Sequence, residues 1–309
     1  MNAVIPDRAR GERLDKVLAS VFPPYSRSQL QLWIRQGRIT MLGRIPHGRE
    51  RVSGGEAVRL EVPQPEPVAW QPQDLPLELV YEDADILVID KPAGVVVHPG
   101  AGNPDGTLAN AILYHFPELA VLPRAGLVHR IDKGTTGLLV VARNEHARSK
   151  LIRALECHAV SRCYLAVVDG IPISGGTLDQ PIGRHPRNRL RMAVNSNGKP
   201  AVTHYRVEEK FRAHALVSVE LETGRTHQIR VHLSWAGYPL VGDALYGRRL
   251  RIPAGASGKF ADTLRGFKRQ ALHARSLTLT HPPTPESLYW KSPVPPDLVQ
   301  LLSTFRSEQ

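Results

Sequence analysis

Cysteine is scarce in this chain: Cys157 and Cys163 are its only two among 309 residues. Their spacing matches no zinc-binding pattern, and thirteen scattered histidines show no ligand spacing, so we predict no metal site. No apolar run approaches the ~18 residues of a membrane helix, and the N-terminus lacks the apolar core of a signal peptide. These absences predict a cytoplasmic protein without a membrane partner.

Glycine patterns that bind dinucleotides or nucleoside triphosphates are also absent. The glycine-rich segment at residues 97–103 lacks the strand, lysine and helix of a phosphate-binding loop. We therefore expect no cofactor.

Positive charge, by contrast, is in excess, with a formal net charge of +11. Arginine, which binds phosphate through paired hydrogen bonds and stacks on bases, outnumbers lysine. The charge predicts a polyanionic partner, nucleic acid in particular. The alternative is a protein that is basic only for solubility.

One carboxylate stands out. Asp132 lies in a run of small, polar and glycine residues that leads into an apolar segment at 138–142. An acid on a tight loop beside a strand is held rigidly and partly shielded from water, which suits a chemical role. Arg130 adds positive charge, and Gly134 and Gly137 are predicted to allow close approach of a large ligand. The alternative is an ordinary solvated loop aspartate.

The run around Asp132 resembles HR(L/I)DxxTSG, the signature of the pseudouridine synthases of the large-ribosomal-subunit family. It reads His129-Arg130-Ile131-Asp132-Lys133-Gly134-Thr135-Thr136-Gly137, with Thr136 where serine is common. Other segments match in the family's order, at residues 81–83, 91–100, 103–107, 199–205 and 221–230. The match covers nearly the whole chain and is closest to the D type of that family.

This resemblance implies an enzyme that isomerises uridine to pseudouridine in 23S RNA of the large ribosomal subunit, at a helix 69-type hairpin for the D type. The implied partner is that RNA or the assembling large subunit, and we expect a monomer. The alternatives are a non-catalytic RNA-binding or ribosome-assembly protein on the same fold, and a hydrolase built on Asp132. The identity and number of modified uridines stay open.

The resemblance also implies roles for particular side chains. Asp132 would be the catalytic acid; whether it attacks the sugar, attacks the base or removes a proton stays open. Arg230 would pair with it, and Tyr164 would stack on the uracil and help remove the proton from carbon 5. Arg130 would fill the space left by a flipped nucleotide or hold its phosphate, and Arg225 would contact RNA phosphate.

The first part of the chain predicts a small basic module at residues 11–65. Leu14, Val17, Leu18 and Val21 have the spacing of an amphipathic helix. A second helix is predicted at 28–36, with Ser26 and Gln29 as a capping box. Strands are predicted from residue 38 and at 58–62.

Two helices followed by a strand pair resemble the S4-type RNA-binding module. Residues 1–62 hold 11 basic and 6 acidic side chains, a net charge of +5. We predict that Arg27, Arg35 and Arg38 bind RNA. The alternative is a helical cap that packs on the larger domain.

Residues 66–76 are rich in proline and predict a linker. Residues 77–309 predict an α+β catalytic domain with a mixed, mainly antiparallel sheet, because strands do not alternate regularly with helices. Its predicted strands lie at 86–90, 138–142, 164–168, 202–207 and 216–221, and its predicted helices at 107–116, 145–157 and 226–235. Residues 188–205 are predicted to form a long hairpin that turns at 195–198.

Overall fold

A computed structural model describes residues 1–23, 25, 27–62, 70–100, 102–188 and 190–308. The chain divides into two compact units, Met1–Glu66 and Pro67–Gln309. Within these described ranges, no helix is both long enough and apolar enough to span a membrane.

In its described residues, the first unit combines two short α-helices with a three-stranded antiparallel sheet around one apolar core. The helices are α1 (Leu14–Val21) and α2 (Arg27–Arg35), and the strands are β1 (Asn2–Val4), β2 (Ile39–Met41) and β3 (Ala57–Leu60). Both helices and the last two strands form within a few residues of the predicted positions. The predicted cap Ser26 lies outside the described residues.

Strand β1 was not predicted, because three residues are too short for a periodic signal. It pairs with β3 through Asn2–Arg59 and Val4–Ala57. The compact unit therefore begins at Met1 and not at residue 11.

The second unit is built on a long mixed sheet in which most neighbours are antiparallel, as predicted. Its strands are β4 (Leu79–Glu82), β5 (Ile86–Lys91), β6 (Thr136–Ala142), β7 (Ser161–Asp169), β8 (Gly176–Asp179), β9 (Ile182–Arg184), β10 (Met192–Val194), β11 (Val202–Lys210), β12 (His214–Leu221), β13 (Leu272–Thr280) and β14 (Ser287–Lys291). The main sheet runs β4-β5-β6-β13-β7-β12-β11-β8, with β14 also paired to β13. Among the described strands, β6 and β13 form the parallel pair.

Among the described residues, five α-helices accompany this sheet, and local sequence explains where two of them begin. They are α3 (Leu108–His115), α4 (Glu145–Glu156), α5 (Gln228–Trp235), α6 (Gly258–Gly266) and α7 (Pro296–Arg306). Thr107 and Asn110 form a capping box before α3, and the Asn144 side chain accepts the Ala147 N–H at 2.8 Å before α4.

The seven residues of β6 are all buried, as expected for a central strand covered on both faces. Gly137 in β6 has φ +106°, and a Cβ there would lie 2.2 Å from the Ala274 carbonyl oxygen of β13. This glycine thus makes room for the neighbouring strand, and not for a ligand as the sequence had suggested. The close fit sets the position of the loop that enters β6, which carries Asp132.

The predicted hairpin at 188–205 is wrong. Its turn forms, with the Gly198 N–H donating to the Asn195 carbonyl at 2.7 Å. However, β10 pairs with β9, whereas β11 lies between β8 and β12. The partners of these strands are set by tertiary contacts that the local pattern does not contain.

Part of the predicted linker is bound to the second unit. The Asn110 side chain donates to the Gln71 carbonyl at 2.7 Å, and the Gln73 side chain accepts the Gly106 N–H at 2.7 Å. Trp70 packs against the main core. Residues 70–75 therefore line the surface of this unit, while 63–69 lie outside the described residues.

Candidate active site

Hydrogen bonds hold Asp132 in a tight turn of the loop before β6. The Asp132 carbonyl accepts the Thr135 N–H at 3.0 Å. The Lys133 carbonyl accepts both the Gly94 N–H at 2.8 Å and the Lys91 Nζ at 3.2 Å. Backbone contacts to a second segment therefore fix the loop, and the Asp132 side chain keeps 16% of its surface exposed.

Arg230, from the buried face of α5, reaches this carboxylate across 98 positions of sequence. Its Nη1 donates to Asp132 Oδ2 at 2.8 Å, and its side chain is 9% exposed. A charge-assisted contact of this kind is short and strong, and it holds the carboxylate in one orientation. The structure thus brings together the two residues that the resemblance had paired.

Asp243 is a second, fully buried carboxylate that holds Arg230 from behind. Arg230 Nε and Nη2 donate to its two oxygens at 2.7 and 2.9 Å, a two-pronged pair. The N–H groups of Leu245 and Tyr246 also donate to Asp243 Oδ1. Burial by itself would raise the pKa of Asp243, but these contacts with Arg230 and the backbone lower it below its usual value. Arg230 therefore keeps its charge and its aim at Asp132.

His227 and Tyr246 complete the surroundings of the acid. His227 Nε2 lies 3.9 Å from Asp132 Oδ1, and its Nδ1 is 2.8 Å from the Tyr246 hydroxyl. The Arg230 guanidinium lies over the Tyr246 ring, 4.9 Å from its centroid. Burial lowers the pKa of His227, although the Asp132 charge opposes this. Because the lowered pKa keeps His227 neutral near pH 7, Arg230 is the cation in direct contact with the Asp132 carboxylate.

Tyr164 lies in β7, 6% exposed, and lines the same cavity as Asp132. Burial raises the pKa of its phenol, so the hydroxyl stays protonated near neutral pH. A buried, uncharged ring at the cavity wall offers a flat apolar face for a planar base.

Asp132 opens onto two cavities, of about 610 and 910 Å³. Arg130 is exposed and lines both of them, whereas Arg225 lines the first. Arg225 is partly held in place, because its Nε donates to the Pro200 carbonyl at 3.0 Å. Both cavities are large enough for a nucleotide unit rather than for a water molecule alone.

His129 holds the Asp132 loop against strand β6. Its Nε2 accepts the Val140 N–H at 3.0 Å, which joins the loop to β6. Burial, with a contribution from the Arg162 charge, lowers the pKa of His129 to about 3. His129 is therefore neutral at physiological pH and serves as a fixed acceptor.

This neutral histidine predicts a pH effect on stability. The pKa of His129 is about 3 in the folded chain and about 6.5 when unfolded, so the unfolded state binds more protons between those values. Stability should fall as pH falls from 6.5 towards 3. We expect His129→Gln to reduce this fall by on the order of 1–2 kcal/mol at pH 4.5, measured by urea unfolding at pH 7.5 and 4.5. The exposed His146→Gln should leave it unchanged; an equal fall in all three proteins would contradict this role.

Lys91 is fully buried, and its Nζ donates to the carbonyls of Pro92, Val95 and Lys133. Burial lowers its pKa to about 7, and the nearby charge of Asp132 opposes that fall. Lys91 thus ties the 91–95 segment to the Asp132 loop.

Among the described residues, Asp83, Asp85 and His281 offer ligand atoms within 4.8 Å of one another. Their polar atoms are already engaged: Asp83 Oδ1 accepts the N–H groups of Asp85 and Ile86, and its Oδ2 is 2.9 Å from His281 Nε2. The group therefore stabilises the turn between β4 and β5, and it is not part of the arrangement around Asp132.

Sequence reasoning did not single out Asp243, Tyr246, Lys91 or Arg162. A weak signal existed for the first two, in the glycine-flanked run Gly242-Asp243-Ala244-Leu245-Tyr246-Gly247. For the others the sequence shows only an ordinary basic residue at the end or start of a strand. Their burial is a tertiary property.

The predicted arginines of the first unit have different surroundings. Arg27 Nη2 donates to the buried Asp15 at 2.9 Å, so this side chain contributes to the fold. Arg35 and Arg38 are exposed, and neither is ion-paired within the described part of the chain.

Comparison with known proteins agrees with this geometry. The RNA pseudouridylate synthase family profile matches residues 85–235. The chain is 55% identical to "Ribosomal large subunit pseudouridine synthase D" of Pseudomonas aeruginosa, over 99% of this chain and 96% of that protein. It is 49% identical to the protein of that name from Escherichia coli K12, over 100% and 95% of the two chains. It also resembles the solved structure of human RNA pseudouridylate synthase domain containing 1, with TM-score 0.57 and 30% identity over 74% of this chain and 88% of that one.

Proposed function

Since this chain belongs to the RNA pseudouridylate synthase family and is an RNA pseudouridine synthase, we propose that it modifies uridines in 23S RNA. The relatives described above carry names that refer to the large ribosomal subunit, and the identity extends along the whole chain. The proposed target is a helix 69-type hairpin, presented by free 23S RNA or by the assembling large subunit. Family membership disfavours the non-catalytic and hydrolase alternatives.

The contact between Arg230 and Asp132 is the observation that carries the proposed mechanism. Pseudouridylation breaks the bond from uracil N1 to the ribose, turns the base and forms a bond from carbon 5. Carbon 5 then loses a proton, while N1 gains one, so the product is an isomer of the substrate. Asp132 acts as the nucleophile or the base in these steps, and Arg230 holds its carboxylate in one orientation.

Tyr164 is proposed to stack on the uracil while the base is detached. Its raised pKa keeps the phenol protonated, so its part in proton removal at carbon 5 would be to relay a proton through its hydroxyl. Arg130 is proposed to occupy the gap that a flipped nucleotide leaves in the RNA stack, which is supported by its exposure and by its position in the lining of both cavities.

The first unit is proposed to be an S4-type module that anchors the RNA by phosphate contacts. Arg35 and Arg38 are its best candidates because both are exposed, while Arg27 also holds Asp15. We further propose that the enzyme works as a cytoplasmic monomer without a cofactor.

Salt dependence tests this anchor. We expect Arg35→Gln/Arg38→Gln to lower RNA affinity and to reduce the slope of log affinity against log salt by about 1.4–1.8, because two phosphate contacts are lost. Fluorescence anisotropy with a labelled hairpin from 50 to 200 mM salt would measure this. The matched double variant Arg44→Gln/Arg59→Gln removes arginines already paired with Glu50 and Glu61. Equal slopes in both variants would count against Arg35 and Arg38 as the anchor.

Mapping of the product tests the proposed substrate. Wild-type protein would be incubated with protein-free 23S RNA and with immature large subunits, and pseudouridine would be located at single-nucleotide resolution. Product confined to a helix 69-type hairpin supports the proposal. Product elsewhere in 23S RNA would overturn the hairpin, and product in other RNA alone would overturn the 23S target.

A further inference from the structure

Arg162, at the start of β7, is a buried cation that the reaction described so far does not use. It is 8% exposed and lines the 610 Å³ cavity together with Asp132 and Tyr164. Within the described part of the chain, no hydrogen bond or ion pair engages its guanidinium, and its Nε is shielded from solvent without a partner. Buried charges of this kind are ordinarily paired.

The backbone at Gly224 passes close to this guanidinium, in a space that a side chain would occupy. A Cβ on Gly224 would lie 3.0 Å from Arg162 Nη1, closer than ordinary contact. Gly224 belongs to the loop before α5, the helix that carries Arg230. The Arg162 side chain therefore extends from β7 against that loop, in the lining of the cavity.

Among the described residues, no carboxylate acts as a paired counter-ion for Arg162. Five arginines line the cavity, namely Arg124, Arg130, Arg162, Arg225 and Arg230. Its lining contains two carboxylates, Asp132 and Glu156, and Asp132 is already bound by Arg230. Neither carboxylate forms an ion pair with Arg162 within the described part of the chain, so its charge is available to a ligand.

We propose that Arg162 binds a phosphodiester group of the RNA inside the cleft, next to the nucleotide whose base stacks on Tyr164. A guanidinium donates two parallel hydrogen bonds to phosphate oxygens and compensates its charge at the same time. A uracil carbonyl would satisfy the hydrogen bonds but would leave the buried charge unpaired. This inference rests on the proposed function, because it takes RNA as the ligand.

The test replaces one charge at a time in the ligand and in the protein. A set of hairpin RNAs would each carry one neutral methylphosphonate linkage near the target uridine. We expect one linkage to weaken wild-type binding by on the order of 10- to 100-fold, the effect of one charged hydrogen-bonding pair. Arg162→Gln should weaken binding of unmodified RNA by a similar factor and should be insensitive to that linkage.

This loss of sensitivity separates phosphate binding from a purely structural role of Arg162. A structural role would weaken binding of all RNAs but would leave the linkage effect intact. Arg275→Gln is the matched control, because Arg275 pairs with Glu208 at 3.4 Å and does not line the 610 Å³ cavity. Its charge acts on the pKa of Cys163, and successive strand residues such as Cys163 and Tyr164 point to opposite faces of the sheet. This variant should retain the wild-type sensitivity.

Two outcomes overturn the inference: no linkage affects wild-type binding by more than about threefold, or Arg162→Gln keeps the sensitive linkage. If circular dichroism shows that Arg162→Gln does not fold, the wild-type scan and Arg162→Lys decide, because lysine keeps the charge and part of the linkage effect.

Pseudouridine formation would be measured on the same RNAs. Binding that behaves as expected without any pseudouridine would contradict the proposed function alone, whereas pseudouridine formation without a sensitive linkage would contradict this inference alone.

Discussion

Asp132→Asn should abolish pseudouridine formation, with a loss of at least about 10³-fold in turnover, because the amide can act neither as the nucleophile nor as the base. RNA affinity should stay within about threefold of wild type. The substitution keeps the size of the side chain, and Arg230 remains fixed by its two contacts with Asp243. Tritium release from carbon-5-labelled uridine in 23S RNA, with a chelator present, would measure turnover.

The control for this experiment is Asp262→Asn, on the exposed side of α6, where the side chain is 77% exposed. It should be fully active. Release of tritium by Asp132→Asn at a rate near that of wild type would overturn the assignment of Asp132, even if wild-type activity in 23S RNA were confirmed.

Asp243→Ala should have the largest effect on stability, a loss of about 3–5 kcal/mol in the free energy of unfolding. The variant leaves the buried Arg230 with one carboxylate in place of two and removes the acceptor of two backbone N–H groups. Turnover should also fall, since Arg230 would no longer be aimed at Asp132. Urea unfolding, followed by a probe in the second unit, would measure the loss.

Asp262→Ala serves as the matched control, because its partner Arg265 is exposed and such pairs contribute roughly 0–1 kcal/mol. A loss below about 1 kcal/mol in Asp243→Ala would show that the Arg230–Asp243 pair does not hold this site together. Asp243→Asn keeps an acceptor oxygen, so its loss in the free energy of unfolding should lie between those of Asp262→Ala and Asp243→Ala.

These two aspartates show why part of the site could be predicted and part could not. Asp132 lies in a run whose order of residue types is itself the signal, and the resemblance links it with Arg230 and Tyr164. Asp243 has no such signal, because its importance comes from burial and from a partner on another element. The same holds for Arg162, which resembles any basic residue at the start of a strand until its surroundings are known.

The fold divides in the same way. Helices α1, α4 and α5 and strands β5 and β6 lie close to the ranges that the sequence predicted, because each is signalled by residues that are near one another in the chain. The pairing of β10 with β9, and the parallel contact of β6 with β13, do not follow from spacing, since the partners are distant in sequence.

The sequence by itself determined the family, the location of the acid and the basic character of the chain, because each depends on which residues are present and in what order. Only the tertiary structure decided which charges are buried and which are paired. Asp132 is held by Arg230, Arg230 is held by Asp243, and Arg162 has no partner among the residues that the structure describes. Charge pairing depends on distances of a few ångströms between segments far apart in the chain, and local sequence does not set those distances.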